Sequence, residues 1–113
     1  MTEDAPETSA NGKRLRLEVV VASPPTRKCT ATLKIMEEMT RLFPDQVRLD
    51  VYALGGSMRV IPTRSCLAEL KTWTVPSVYV NGKPVTKKAV PDREEVERKI
   101  REELAKGPEA WED

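Results

Sequence analysis

The stretch Ala22-Ser23-Pro24-Pro25-Thr26-Arg27-Lys28-Cys29 decides the fold, because an apolar strand pattern stops there and a helical pattern begins with a cysteine in its first turn. Upstream, Leu15-Arg16-Leu17-Glu18-Val19-Val20-Val21-Ala22 alternates and then turns continuously apolar, as expected of a central strand in a sheet covered on both faces. Downstream, Cys29, Leu33, Met36, Met39 and Phe43 recur at three- and four-residue steps, which predicts an amphipathic helix. Two prolines force the turn between them. Thr26 suits the N-cap with Cys29 three residues on; the alternative is Ser23 as the cap with Pro24 first in the helix. In either case the thiol meets helix N-terminal amides and the cations Arg27 and Lys28, which favour thiolate over thiol.

Pro44-Asp45 ends this helix, and Val47 to Leu54 alternates as a half-covered strand does. Strand, helix, strand reads as a βαβ unit with parallel strands. Gly55-Gly56-Ser57 opens a loop to Pro62, after which Thr63 can cap a short helix to about Thr72, with Cys66, Leu70 and Trp73 on one side. Val75 to Val85 reads as two short strands joined at Asn81-Gly82, the sequence of a type I′ hairpin. Pro84 cannot donate to a ladder and places the last strand at an edge. Asp92 then opens a charged helix to Lys106 with Val96, Ile100 and Leu104 as its apolar stripe, stopped by Gly107-Pro108. The expected order is β-α-β-α-β-β-α, an α/β domain over residues 13–106, with a disordered tail over 1–12 and a second tail over 107–113.

With 113 residues, 39% hydrophobic and 33% charged, the chain has room for one domain core. Nineteen basic and eighteen acidic residues nearly cancel, so no general field draws it to nucleic acid or anionic lipid. The absence of histidine excludes His-based acid/base catalysis, a Cys/His pair and the commonest zinc ligand sets. No metal or cofactor is expected. No apolar run reaches the ~20 residues of a membrane span, and Met1-Thr2-Glu3-Asp4 lacks a basic signal-peptide start. The expectation is a cytoplasmic protein with no membrane or nucleic-acid partner, whose two cysteines are free thiols.

The element order, the cysteine at the strand-to-helix turn, and Thr74-Val75-Pro76 ahead of a strand and an Asn-Gly hairpin resemble the thioredoxin and glutaredoxin superfamily, over roughly Leu15 to Leu104. The resemblance implies a single thioredoxin-like domain with helices on both faces. Its four-stranded mixed sheet would be ordered second, first, third, fourth strand. It also implies a cis-proline at Pro76, with Val75 presenting its backbone to a bound substrate. Ile61-Pro62-Thr63 is a competing match to that motif, but a helical pattern follows it, whereas a strand follows Pro76.

The family's Cys-x-x-Cys falls on Thr26-Arg27-Lys28-Cys29, so threonine stands where the attacking cysteine belongs. A hydroxyl has no usable anionic form without a base. The second position, which this chain keeps, is the more buried one in the family; burial raises a thiol pKa and opposes the helix end and the cations. On residue type alone, Cys29 serves equally as a buried small hydrophobe or as a reactive thiol.

Pro25-Thr26-Arg27-Lys28-Cys29 recurs as Pro62-Thr63-Arg64-Ser65-Cys66, which places both cysteines in first helical turns at the same end of the sheet. The family arrangement puts them on opposite faces, farther apart than the ~7 Å between Cα atoms that a disulfide tolerates. Thr-x-x-Cys is also similar to the peroxiredoxin peroxidatic motif, but that family's proline is absent at Ala22 and Arg59. Two function classes follow. One is a thiol redox protein whose Cys29 forms mixed disulfides with a protein or low-molecular-weight thiol, with Cys66 resolving. The other is a non-catalytic module that binds an extended peptide between the Thr26 turn and Pro76.

Overall fold

A four-stranded mixed sheet organises residues 13–113, which are those the computed structural model describes; the tail expected over residues 1–12 lies outside them. In chain order the elements are β1 (Leu15–Val21), α1 (Arg27–Leu42), β2 (Val47–Ala53), α2 (Arg64–Ala68), β3 (Ser77–Val80), β4 (Lys83–Lys87) and α3 (Arg93–Lys106). Short 3₁₀ turns follow α2 and α3 at Leu70–Thr72 and Pro108–Ala110. The spatial order is β2-β1-β3-β4, with β1 parallel to β2 and antiparallel to β3, and β3 antiparallel to β4. The described residues thus form a small α/β domain with a four-stranded mixed sheet and three helices.

Every residue of β1 is buried, and its two sides feed two cores. Leu15, Leu17, Val19 and Val21 pack with Cys29, Met36 and Met39 of α1 and with Val96 and Ile100 of α3. Val20 packs on the other side with Tyr52, Cys66, Trp73 and Tyr79. Each such side chain contributes about 1.5–3 kcal/mol on leaving water, so the sheet is held from both faces. The β3–β4 turn has Asn81 and Gly82 at φ 54° and 75°, as a type I′ turn requires. A Cβ on Gly82 would lie 2.9 Å from the Cβ of Ser65, so this turn approaches α2 too closely for a larger residue.

Three sequence expectations are corrected here. The helix expected from Thr63 to Thr72 breaks after Ala68, because the Cys66 carbonyl is taken at short range by the Glu69 N–H (3.1 Å) and by the Trp73 indole N–H (3.0 Å). Leu70, expected on the buried stripe, is exposed. The segment 107–113 is no loose tail. Trp111 is buried against the first core and donates its indole N–H to the Glu103 carbonyl (2.8 Å). Glu112 accepts from the Ser65 amide at the start of α2 (2.8 Å) and from the Ser65 hydroxyl. The buried indole and the Glu112 and Asn81 hydrogen bonds together tie the segment to the domain.

Glu103 anchors this strap from α3. It is buried, which pushes its carboxyl up, but Asn81 (2.8 Å), Lys106 (2.9 Å) and Lys83 (3.2 Å) donate to it and hold it below the usual glutamate range. A carboxyl depressed in the folded state stabilises the fold above its unfolded pKa, and that contribution disappears as pH falls through the folded value. Glu103→Gln is therefore expected to flatten the acid limb of the stability curve measured by urea unfolding between about pH 5 and pH 3. An unchanged acid limb would assign that limb to other carboxylates.

Among the described residues no helix is long and apolar enough to cross a membrane.

Candidate thiol site

Cys29 sits where β1 hands over to α1. Thr26 has the extended backbone of an N-cap (φ −80°, ψ 175°), and its hydroxyl oxygen accepts from the Cys29 N–H at 3.2 Å. The same hydroxyl donates to Cys29 Sγ at 3.2 Å, and the Ala22 N–H reaches the sulfur from the end of β1 at 3.4 Å. Thr26 therefore clamps the cysteine from both of its sides. The Cys29 side chain has no solvent-exposed surface. Burial pushes the thiol up, but hydrogen bonds from the Ala22 amide, the Thr26 hydroxyl and the Thr26 amide outweigh it and leave the thiol below its ordinary value.

Arg27 and Lys28, in the first turn of α1, are exposed. Pro25, Thr26, Arg27, Thr30, Ala31 and Lys34 line a shallow depression of about 370 Å³, which Cys29 does not reach. Val75 is half-buried and packs against both cores; Pro76 is buried, and its carbonyl accepts from the Ala89 N–H (3.2 Å). The Val75–Pro76 and Ser23–Pro24 peptide bonds are cis. Thr26, Cys29, Arg27 and Lys28 thus form one turn, with Val75 packed against the core that contains the thiol.

Cys66 is elsewhere. It is buried in the second core, across the sheet from Cys29, and both cysteines are free thiols. The same-end expectation fails. Thr63 bonds Glu18 in the middle of β1, and Ser65 lies against Gly82 in the β3–β4 turn, at the end of the sheet remote from Ala22. The loop after β2 runs back along the sheet before α2 starts, so the two Pro-Thr motifs open helices at opposite ends. Burial, with Glu18 and Glu69 nearby, pushes the Cys66 thiol well above its ordinary range.

Sequence reasoning missed a buried polar network beside Cys66. Glu18, with no exposed surface, accepts from the Tyr52 hydroxyl (2.6 Å), the Thr63 amide (2.8 Å) and the Thr63 hydroxyl (2.6 Å). Arg16 lies 3.6 Å from Glu18 and 2.9 Å from Asp50, and donates to the Tyr52 oxygen (3.0 Å) and the Ile61 carbonyl (3.1 Å). Burial and the hydrogen bond to Glu18 push the Tyr52 hydroxyl far up. The available signal was a pair of opposite charges two residues apart in a strand otherwise read as covered on both sides.

Comparison with family models and with curated proteins finds no match. Among solved structures, the chain is similar in fold to a protein of unknown function, SA0789, from Staphylococcus aureus, at 12% identity and a TM-score of 0.58, over 82% of this chain and 94% of that one. That similarity extends to the fold alone.

Proposed function

We propose that this domain is thioredoxin-like and acts in thiol redox chemistry through the single thiol of Cys29. The observation that carries the reading is the sulfur at a helix N-terminus accepting hydrogen bonds from the Ala22 amide and the Thr26 hydroxyl. Donors aimed at sulfur favour the thiolate, the form that attacks disulfides. The Cys29 thiolate attacks one sulfur of an external disulfide, the other sulfur departs with the bonding pair as a thiolate, and Cys29 is left in a mixed disulfide. A second external thiol reverses the step. The partner class is a protein or low-molecular-weight thiol or disulfide, and Val75, Pro76, Arg27 and Lys28 would border it.

The complete burial of the Cys29 side chain favours a second reading, a non-catalytic module binding an extended peptide beside Pro76. Alkylation separates the two. For the redox reading, the iodoacetamide rate at Cys29, followed by mass spectrometry across pH, is expected to reach half its maximum below the ~8.5 of an unperturbed cysteine. Cys66 is expected to stay unmodified in the folded protein. A Cys29 midpoint at or above the ordinary value, or no labelling until the chain unfolds, would favour the binding module.

A further inference from the structure

The sheet has two edges, β2 and β4; β4 carries the usual protection against pairing, whereas β2 has its charges, Arg48 and Asp50, on one face and shares a cleft with the loop residues 57–60. Lys83 and Lys87 flank β4, and Pro84 withholds an N–H. β2 is seven residues long, without proline, and Val51 in it is 46% exposed. The Leu54 amide donates to the Val21 carbonyl and the Gln46 carbonyl accepts from Leu15. Backbone groups alternate along a strand, so even-numbered residues of β2 bond β1 and odd-numbered ones aim away from it. The Val47 N–H is taken by Phe43, and the Ala53 carbonyl by Gly56. Among the described residues, the Val47 carbonyl, both groups of Leu49, both groups of Val51 and the Ala53 N–H have no backbone partner.

Those open groups are self-complementary. A half-turn about an axis through Asp50 sets Leu49 opposite Val51 and Val47 opposite Ala53 of a second copy. Every open donor then meets an open acceptor. The two groups already used within the chain, the Val47 N–H and the Ala53 carbonyl, would face each other and are the two that this pairing leaves out. Charge follows the same axis. Arg48, half-exposed and 3.2 Å from its own Asp50, stands diagonal to the other copy's Asp50, at the ~7–8 Å that an arginine spans. The two Asp50 carboxylates meet across the axis, but each is held by Arg16 at 2.9 Å and by Arg48.

We propose that β2 pairs antiparallel with β2 of a second copy of this chain, centred on Asp50, and joins two four-stranded sheets into one. Each hydrogen bond is weak in net terms and association has its own entropic cost, so the dimer forms with rising concentration. The test uses the full chain between roughly 10 µM and 1 mM. Light scattering or sedimentation is expected to show the mass rising from 12.7 kDa toward twice that. Amide exchange at Leu49, Val51 and Ala53 is expected to slow at least about tenfold over the same range, while the Asp50 amide, already directed at β1, does not change. Val51→Pro removes an N–H without an internal partner and is expected to stay monomeric with its circular dichroism retained; should that variant unfold, the exchange measurement on the wild type still decides. A constant monomer mass with fast exchange at the three amides would overturn the proposal. So would a dimer in which those amides stay fast, or protection that appears only when another peptide or protein is added.

Discussion

Glu18→Ala is expected to lower folding stability by about 3–5 kcal/mol, a large part of the roughly 5–15 kcal/mol that holds a domain of this size together. The carboxylate has no exposed surface and is the shared acceptor for the Tyr52 hydroxyl and for the amide and hydroxyl of Thr63. Its loss leaves those three donors in a dry core and removes one of the two carboxylates facing buried Arg16. Removing a buried acceptor and one partner of a buried ion pair costs far more than a surface pair contributes, although Arg16 keeps Asp50 at 2.9 Å. Arg93→Ala, which breaks an exposed pair with Glu38 at 2.9 Å, is the control and is expected to cost less than about 1 kcal/mol. Urea unfolding followed by circular dichroism measures both. A Glu18→Ala loss no larger than that of Arg93→Ala would mean that water or rearranged side chains replace the carboxylate.

The second large effect is in chemistry. Wild-type protein is expected to catalyse disulfide reduction poorly, and Thr26→Cys to raise the rate at least about a hundredfold, a modest figure beside the roughly millionfold loss when a hydrolase nucleophile is removed. The Thr26 oxygen already lies 3.2 Å from Cys29 Sγ, so a sulfur replacing it needs only a small approach to form a bond. The new thiol would stand at the N-cap, exposed, beside Arg27 and Lys28, in a setting that lowers thiol pKa. Cysteine caps less well than threonine, at a cost of about 1 kcal/mol, which the domain can absorb. An insulin reduction assay on wild type, Thr26→Cys and Cys29→Ser reads the result. Turnover by wild type that survives Cys29→Ser would locate the chemistry away from this turn. A folded but inactive Thr26→Cys would favour the peptide-binding module.

The elements most legible in the sequence are those fixed by local chemistry. Thr26 and Asp92 cap α1 and α3 as their residue types suggest, Asn81-Gly82 makes its turn, and the apolar run of β1 places that strand at the centre. What escaped depends on partners distant in sequence. Arg16 and Glu18 were only the polar half of an alternation in a strand read as covered on both faces, and what satisfies them there is Asp50, Tyr52 and Thr63, which converge on them from the next strand and loop. The repeated Pro-Thr motif suggested one end of the sheet for both cysteines; the path of the loop between β2 and α2, which no local pattern encodes, separates them. At the candidate site, the Thr26–Cys29 spacing was legible, but the Ala22 amide that completes the sulfur's donor set belongs to the backbone and leaves no mark in residue type.

The separation of Cys29 from Cys66 governs how electrons could be held. A protein with two neighbouring thiols carries its own half-cell, since oxidation closes a ring and the state is fixed by ambient potential without any partner remaining attached. Here the two sulfurs lie in different cores on opposite faces of the sheet, so oxidation of the proposed site leaves Cys29 bonded to a foreign sulfur. Its occupancy then obeys mass action: the fraction capped follows the ratio of external disulfide to free thiol, and at a fixed ambient potential that ratio rises with the absolute concentration of free thiol. Peroxide acting on the same sulfur would give a sulfenic acid with no internal thiol in reach to condense with it, and its return to the resting state would depend on a reductant arriving from solution.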